Sequence, residues 1–346
     1  MSSYKSSGVD IQGADAWVEK IAGQLGVAGS AELRAKVKSG IGAYAAVYAL
    51  GDQQWLATSC DGVGTKLLWT QEGLGRIEDL AQDLIAMNAN DLLCVGARPL
   101  LFLDYLAVGS LALVSDQGPL KGFIGGLSRA AAESEMIVVG GETAQMPDIY
   151  GQQGYDLAGF AVGTLQPTEH LEVSKIQPGS ELWGWTSSGP HSNGFTWLRK
   201  LFDSKKDATF IREHLMTPTR LYARDFLNFR TQLRIQNLEA GLQSAFHITG
   251  SGLLNLIRAQ PEGRTVGFDL DSWPAQWPFW LEEVAKRSKV DASTLWTTFN
   301  MGFGFSVVLS AELVQKAGAL LNAVGLVRLG RIISDPCVKA GGLELR

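Results

Sequence analysis

The stretch SCDGVGTK, residues 59–66, combines a carboxylate, two glycines, a threonine and a lysine shortly after the apolar run at residues 55–57. A Walker loop reads G-x-x-x-x-G-K-[ST], with the lysine directly after the last glycine. Here a threonine separates Gly64 from Lys66, so the stretch is not a Walker loop. An apolar strand that leads into a glycine turn and a helix directs backbone N–H groups at an anion. The stretch therefore predicts an anion-binding turn in an α/β fold.

The rest of the first half alternates between helix-like and strand-like runs. Leu80, Leu84, Met87 and Leu92 roughly keep a period of 3.6 residues, which predicts a helix at residues 76–93. A second helix is predicted at residues 119–134. Strands are predicted at residues 55–59, 100–108, 136–139 and 155–164. The alternation of strands and helices indicates an α/β-type domain.

The second half restarts after a segment with little apolar periodicity, residues 166–179. We predict strands at residues 181–186 and 305–310 and helices at 195–202, 253–259 and 311–324. A chain of 346 residues is long enough for about two domains. We therefore predict an N-terminal domain at residues 1–166 and a C-terminal domain at residues 167–346.

The whole-chain composition argues against several classes of protein. The net charge is -5 and there is no long basic run, so the chain lacks the basic patch that is typical of nucleic-acid-binding proteins. Cys60, Cys94 and Cys337 are far apart and odd in number, which argues against a disulfide framework and fits a reducing compartment. The first residues form no apolar signal segment, and charges interrupt the longest apolar region, residues 92–114. We expect a cytoplasmic protein with no membrane or nucleic-acid partner.

Acidic residues gather near the predicted strand ends. They are Asp61, Asp83, Asp91, Asp104, Glu142, Asp148 and Asp156. Each one taken alone is equally well explained by helix solvation or capping. Asp83 and Asp91 are about 80° apart around one predicted helix, so both approach one side of it. Mg²⁺ prefers carboxylate oxygens and keeps some of its waters. Together with Lys66 and the glycine pair at 140–141, these acids predict a metal–nucleotide site.

Two loops of the second half carry further polar groups. SSGPHSNG, residues 187–194, places Ser188, His191, Ser192 and Asn193 before a predicted helix. A helix N-cap needs one such residue, so the surplus suggests a phosphate or amide ligand. HITGSG, residues 247–252, is a second glycine-rich loop at a helix start. For either histidine taken alone, a satisfied structural role is the more common alternative.

Ten ordered motifs carry a family resemblance. They are YKSSGVDI (4–11), DGVGTKL (61–67), DLIAMNANDLL (83–93), GARPLLFLDYLAVG (96–109), VGGETAQMP (139–147), YDLAGFAVG (155–163), SSGPHSNGF (187–195), PTRLY (218–222), HITGSG (247–252) and FNMGFG (299–304). In this order they resemble the phosphoribosylformylglycinamidine cyclo-ligases, also called AIR synthetases. The resemblance runs from residue 4 to about residue 310.

The resemblance implies a fold, a reaction and an assembly. It implies two α/β domains, of α+β type. The N-terminal domain supplies a four-stranded sheet that closes a β-barrel across a homodimer, and the C-terminal domain packs against it and completes the active-site cleft. It also implies ATP-dependent ring closure of formylglycinamidine ribonucleotide in purine biosynthesis, with Mg²⁺ and release of ADP and phosphate.

The resemblance also implies roles for individual residues. The residues that would bind ATP are Asp61, Gly62, Gly64, Thr65, Lys66, Asp91, Gly140, Gly141, Glu142 and Thr143. Of these, Asp61, Asp91 and Glu142 would hold the metal. Those for the substrate are Ser188, His191, Ser192, Asn193, Thr249 and Gly250. Those for catalysis are Lys66, His191 and His247, where either histidine is a candidate to handle a proton.

The sequence departs from the family pattern at several positions. The early stretch G-G-x-G-G-F-G is here SGIGAYA, residues 39–45, and Cys60 replaces a threonine. Gln145 replaces a glutamate and Ser251 replaces a glycine. These departures keep two alternatives open: a nucleotide-binding scaffold that has lost catalysis, and another ATP-dependent member of the same superfamily.

Overall fold

The computed structural model of the protein describes residues 11–258 and 266–345. Most of the first resemblance motif, residues 4–10, and the end of the helix predicted at 253–259 lie outside these ranges. The described chain begins with helices α1 (Ile11–Leu25) and α2 (Ala31–Ala35) and two short strands, β1 (Val37–Ser39) and β2 (Ala46–Ala49).

The first sheet contains six strands in the order β1-β2-β3-β6-β4-β5. The elements that follow β2 are β3 (Trp55–Gly62), α3 (Lys66–Gln71), α4 (Ile77–Cys94), β4 (Arg98–Val108), α5 (Phe123–Glu133), β5 (Ile137–Gln145), α6 (Pro147–Tyr150) and β6 (Tyr155–Leu165). Strands β4 and β5 pair in parallel, and the other neighbours pair antiparallel. The expected four strands are thus extended by β1 and β2, which flank the stretch at residues 40–45.

Helices α4 and α5 cover one face of this sheet. Phe102 and Ala161 are buried beneath them, whereas Leu103 and Phe160 point to the other face and are 36% and 45% exposed. The alternation follows from the two-residue period of a strand. One face of the first sheet is therefore a packed core, and the other is open and apolar.

The second sheet contains seven strands in the order β13-β12-β9-β11-β7-β10-β8. Its elements are β7 (Glu181–Thr186), α7 (Phe195–Leu201), α8 (Ala208–Phe210), α9 (Ala223–Ile235), β8 (Leu242–His247), α10 (Asn255–Arg258), β9 (Gly267–Leu270), α11 (Phe279–Ser288), α12 (Ala292–Trp296), β10 (Phe303–Leu309), α13 (Ala311–Ala323), β11 (Val327–Ile333), β12 (Val338–Ala340) and β13 (Leu343–Leu345). Only β9 and β12 pair in parallel among its described strands. The fold is thus mixed α/β with two sheet-containing domains. No helix within the described ranges is long and apolar enough to cross a membrane.

The end of α4 joins the two halves of the molecule. Leu93 and Cys94 of this helix are buried in the same apolar cluster as Phe226 and Phe229 of α9. The preceding turn of α4, which carries Asn90 and Asp91, is therefore held at the seam between the two sheets.

Candidate active site

The ends of β3, α4 and β8 meet at this seam. His247, the last residue of β8, is fully buried, and its Nδ1 lies 2.9 Å from Oδ1 of Asp91. Its Nε2 lies 3.4 Å from the side-chain nitrogen of Asn90. Because a carboxylate only accepts hydrogen bonds, Nδ1 carries the proton and Nε2 accepts from Asn90. Both ring nitrogens of His247 are thus engaged in orienting the Asp91 turn.

Asp61 lies at the end of β3, opposite the same helix. Its backbone N–H donates to Oδ1 of Asn88 at 2.9 Å, and its carboxylate accepts from the backbone N–H of Gly62 at 2.7 Å. Burial, with the neighbouring charge of Asp91, raises the pKa of Asp61 to about 6. Burial also raises the pKa of Asp91, and His247 opposes that shift. Two partly buried carboxylates that repel each other are a common signature of a functional site.

Replacing Asp61 with asparagine is expected to stabilise the metal-free protein above pH 6. The pKa of Asp61 is about 6 in the fold against an ordinary 3.8, so folding favours the protonated form. The penalty is absent below pH 4, grows as the pH rises through this window and is complete above pH 6, where it is at most about 3 kcal/mol. Melting temperatures of both proteins in a chelator, measured from pH 4 to pH 8, should diverge as the pH rises to about 6 and then differ by a constant amount. A difference that does not change with pH would contradict the prediction.

Strand β5 holds the remaining predicted ATP residues, and its register separates Glu142 from Asp61. Across the sheet, Asp61 pairs with Gly159, Gly159 pairs with Asp104, and Asp104 pairs with Gly141. Glu142 belongs to the neighbouring row of paired residues. A Cβ added to Gly159 would approach Asn88 of α4, so the row of Asp61 faces that helix. Neighbouring rows point to opposite faces. The structure therefore brings Asp61 and Asp91 together but does not bring Glu142 to them.

The described residues contain no group of three or more His, Cys, Asp or Glu side chains that could hold a metal ion. The predicted set of Asp61, Asp91 and Glu142 therefore does not form a metal site here. Two carboxylates nevertheless suit Mg²⁺, which commonly takes one or two protein carboxylates together with phosphate oxygens and water. The pair Asp61 and Asp91 fits that pattern, because burial raises the pKa of each carboxylate and no lysine or arginine contributes to either shift.

Lys66 lies elsewhere than the sequence suggested. Its side chain is 1% exposed, and its Nζ bonds Asp83 at 2.9 Å, the carbonyl of His191 at 3.0 Å and the carbonyl of Thr217 at 2.7 Å. Burial lowers the pKa of Lys66, and Asp83 opposes that shift. An ammonium group has three protons, and these contacts use all of them. The expectation that Lys66 neutralises phosphate charge finds no support in this geometry.

The loop at residues 187–194 surrounds a buried histidine. His191 has a φ of 59°, and its Nε2 accepts from the backbone N–H of Ser188 at 3.4 Å. Its Nδ1 has no hydrogen-bond partner among the described residues. Burial lowers the pKa of His191 well below its usual range, so the ring is neutral at pH 7. The side chain of Asn300 binds this loop with two hydrogen bonds. It accepts one from the hydroxyl of Ser187 and donates one to the carbonyl of Gly189.

Two glycine-containing loops approach Ser192 and Asn193. A Cβ added to Gly64 would lie 3.8 Å from the carbonyl of Ser192, and one added to Gly250 would lie 3.6 Å from Oδ1 of Asn193. Nδ2 of Asn193 is buried without a hydrogen-bond partner among the described residues. Asn255 holds the carbonyls of Thr249 and Gly250 at 3.2 and 3.1 Å. Ser192 thus lies beside the turn that follows Asp61, and Asn193 lies beside Gly250.

Several residues that support this site were missed at the level of sequence. They are Asn88, Asn90, Thr219, Tyr222 and Asn300. The signal for the first two was present, because asparagines are unusual on the buried side of a helix. Thr219, Tyr222 and Asn300 lie inside resemblance motifs, but their partners are distant in the sequence, and no local pattern reveals these contacts.

Ser251 replaces a family glycine at a position that requires a positive φ. Its φ is 84°, in the left-handed region that favours glycine. Ser251→Gly is therefore expected to stabilise the protein by about 1 kcal/mol. The control is Ser310→Gly, because Ser310 has a φ of -64° and its hydroxyl accepts from the backbone N–H of Leu313 at the start of α13. The two changes should shift the melting temperature in opposite directions, and a fall for Ser251→Gly would contradict the argument.

Comparison with known proteins identifies relatives along the whole chain. The AIR synthase related protein, N-terminal domain, matches residues 42–165, and the corresponding C-terminal domain matches residues 177–341. A phosphoribosylformylglycinamidine cyclo-ligase of Aromatoleum aromaticum is 38% identical over 96% of this chain and 94% of its own. The cyclo-ligase of Xanthomonas euvesicatoria is 35% identical, with 96% of each chain covered.

Solved structures share the fold at lower identity. The protein tt0281 from Thermus thermophilus aligns with a TM-score of 0.64 at 19% identity and covers 98% of this chain and 99% of that one. Thiamine monophosphate kinase from Aquifex aeolicus aligns with a TM-score of 0.61 at 14% identity and covers 97% of this chain and 99% of that one.

Proposed function

Because the chain belongs to the phosphoribosylformylglycinamidine cyclo-ligase family, we propose that it closes an imidazole ring in purine biosynthesis. The substrate is formylglycinamidine ribonucleotide. ATP activates the formyl-amide oxygen of the substrate. An amidine nitrogen then attacks the formyl carbon that carries this oxygen, and ADP and phosphate leave. The product is 5-aminoimidazole ribonucleotide.

One observation carries this proposal for the site. Asp61, Asp91 and His247 come from three separate elements and meet beside the loop at residues 187–194. The reaction needs a phosphate-handling group next to a pocket for an uncharged reacting centre. A pair of carboxylates beside a loop with unpartnered polar atoms supplies both kinds of group.

Asp61 and Asp91 would hold Mg²⁺, with backbone groups of the turn at residues 62–65 beside it. When bound, Mg²⁺ neutralises phosphate charge in the transfer of a phosphoryl group. The protein residues hold the two carboxylates in place: Asn88 fixes the backbone of Asp61, and His247 fixes the carboxylate of Asp91. Such fixed positioning is the main contribution of a protein to phosphoryl transfer.

Ser188, Ser192 and Asn193 would bind the ribonucleotide, with Thr249 and Gly250 on the opposite wall. The buried and unpartnered Nδ2 of Asn193 supports this assignment, because an unsatisfied buried donor is costly unless a ligand accepts from it. Its neighbour Gly250 leaves room beside the amide, since the nearest atom to an added Cβ is Oδ1 of Asn193 itself.

His191 is the stronger candidate to handle a proton. Its Nε2 accepts from the backbone of Ser188, so the neutral ring carries its proton on Nδ1, which has no described partner. His247 has both ring nitrogens engaged, by Asp91 and Asn90, and we assign it to orienting Asp91. A buried N–H that has no protein acceptor is suited to donate to a developing negative charge.

Gly140, Gly141, Glu142 and Thr143 remain candidates for ATP contacts rather than metal ligands, because they lie along the edge strand β5. We also retain the domain division at residues 166 and 167 and a cytoplasmic location as proposals. The departures at Ala43 and Ala45 do not weaken the assignment. Within residues 40–45 only Gly42 has a positive φ, so neither alanine occupies a strained backbone conformation.

We propose that the open face of the first sheet pairs with a second copy of the chain. Ile137, Leu103 and Phe160 lie on strands β5, β4 and β6 and are 61%, 36% and 45% exposed. Apolar faces of this kind are rare on free surfaces and typical of subunit interfaces. Phe160→Asp is expected to yield a monomer in light scattering, whereas Ile235→Asp, at an exposed apolar side chain on α9, should leave the assembly unchanged. An unaltered mass for Phe160→Asp would contradict the proposal.

Release of ADP is the direct test of the activity. Purified protein with Mg²⁺ and ATP should release ADP only when formylglycinamidine ribonucleotide is added, and the aminoimidazole product should form in equal amount. Bound ATP without ADP release would favour the scaffold alternative. ADP release that depends on a different phosphate acceptor would favour another superfamily activity.

A further inference from the structure

We propose that Lys66 and Asp83 form an interdomain clamp that positions the loop at residues 187–194 for the ribonucleotide. The inference rests on the proposed function but concerns residues to which that function gives no such role. In it Lys66 and Asp83 are positioning residues, because both side chains are buried and bond other protein groups.

The lysine half of the clamp comes from the N-terminal side of the seam. Nζ of Lys66, at the start of α3, donates to the carbonyls of His191 and Thr217, which belong to two loops of the second half. The same ammonium group lies 5.4 Å from the ring centroid of Phe195, the first residue of α7. The buried ammonium group of Lys66 thus contacts the loop at residues 187–194 at His191, near its middle, and also contacts Phe195, just after its end.

The aspartate half reaches a third point of the second half. Oδ1 of Asp83, on α4, accepts from the backbone N–H of Thr219 at 2.7 Å and from its hydroxyl at 2.5 Å. The hydroxyl of Thr219 in turn lies 3.3 Å from that of Ser192. Asp83 and Lys66 are themselves paired, with Nζ 2.8 Å from Oδ2. The pair therefore connects α3 and α4 to the loop at residues 187–194 and to the segment at residues 217–219.

The metal pair has separate supports. Asn88 holds the backbone of Asp61, and His247 with Asn90 holds Asp91. None of these contacts passes through Lys66 or Asp83. Loosening the clamp should therefore displace the ribonucleotide loop and leave the position of the ATP-binding carboxylates largely unchanged. A purely structural ion pair would not separate the two substrates in this way.

The test compares a single and a double variant. Lys66→Met removes the cation and leaves Asp83 charged and buried, so it should lower the melting temperature strongly. Adding Asp83→Asn removes that charge while its amide oxygen still accepts from Thr219. The double variant should recover part of the melting temperature. Its KM for formylglycinamidine ribonucleotide should still rise at least tenfold, while its KM for ATP changes less than twofold.

A milder variant keeps the test decisive if the double variant does not fold. Thr219→Val removes only the hydroxyl that bonds Asp83 and Ser192 and keeps both charges. It should raise the KM for the ribonucleotide by a few fold without changing that for ATP. The control is Thr298→Val, which removes a buried hydroxyl that donates to the carbonyl of Thr294 instead. This control should leave both constants unchanged.

Two results would overturn the clamp. Wild-type constants for both substrates in the folded double variant would make the pair purely structural. A rise in the KM for ATP that matches or exceeds the rise for the ribonucleotide would place Lys66 with the phosphates instead. Failure of the proposed function is distinguishable from both, because in that case the wild-type protein itself releases no ADP with formylglycinamidine ribonucleotide.

Discussion

Asp91→Asn is expected to lower kcat/KM for ring closure by a factor of about 10²–10³ while the protein stays folded. Removing one preorganised electrostatic group from an active site typically costs this much. The fold should survive because the amide oxygen of asparagine can still accept from Nδ1 of His247, which lies 2.9 Å from the carboxylate of Asp91. Loss of the charge also removes the repulsion that raises the pKa of Asp61.

The measurement is ADP release with formylglycinamidine ribonucleotide, together with the melting temperature of the metal-free variant. Asp335→Asn is the matched control, because Asp335 is an exposed carboxylate whose side chain pairs with Lys339. It should behave as wild type in both measurements. Turnover of the Asp91 variant within a factor of ten of wild type would exclude Asp91 from the reaction.

Arg230→Met is expected to cause a large loss of stability. The guanidinium of Arg230 is almost fully buried and donates twice to Glu239, at 3.0 and 2.7 Å, and to the carbonyl of Gly96 at 2.6 Å. Burial lowers the pKa of Arg230, and Glu239 opposes that shift. Losing the buried guanidinium leaves the carbonyl of Gly96 without its donor, whereas Glu239 keeps Arg234 as a partner. The lost charged hydrogen bonds and the unsatisfied buried acceptor together cost about 3 kcal/mol. The contact with Gly96 also connects α9 to the first sheet.

Thermal unfolding of Arg230→Met should show a fall in melting temperature on the order of 10 °C. Arg331→Met provides the control, since Arg331 also pairs with acidic side chains, Asp269 and Asp271, but is 57% exposed. Exposed ion pairs contribute about 0–1 kcal/mol, so the control should fall by no more than a few degrees. Equal shifts for both variants would show that burial is not the cause.

Periodicity in the sequence predicted the long elements well and the glycine-rich ones poorly. The helix predicted at 76–93 is α4, Ile77–Cys94, and the strand predicted at 181–186 is β7. Strand β5 extends to Gln145 beyond its predicted end at residue 139, because pairing with β4 keeps Gly140 and Gly141 extended. Helix α9 was not predicted, although its buried residues Ala223, Phe226, Phe229 and Leu233 have helical spacing.

The sequence predicted those parts of the candidate site in which side chains contact other side chains. Asp61, Asp91 and His247 were each selected from the sequence, and the fold places them together. Lys66 was assigned to phosphate because a lysine after a glycine turn commonly has that role. Two of its actual partners are backbone carbonyls more than a hundred residues away. Because every residue has a backbone carbonyl, the sequence does not indicate which ones bind Lys66.

The buried lysine also has a consequence for synthesis on the ribosome. Thr217, whose carbonyl completes the surroundings of Lys66, follows it by 151 residues. At about 5–20 residues per second, translation takes roughly 8–30 s to cover that distance. During this interval the nascent N-terminal sheet holds a lysine and aspartate pair whose remaining partners do not yet exist. The first half of the chain therefore waits in an incompletely packed state until the second half arrives.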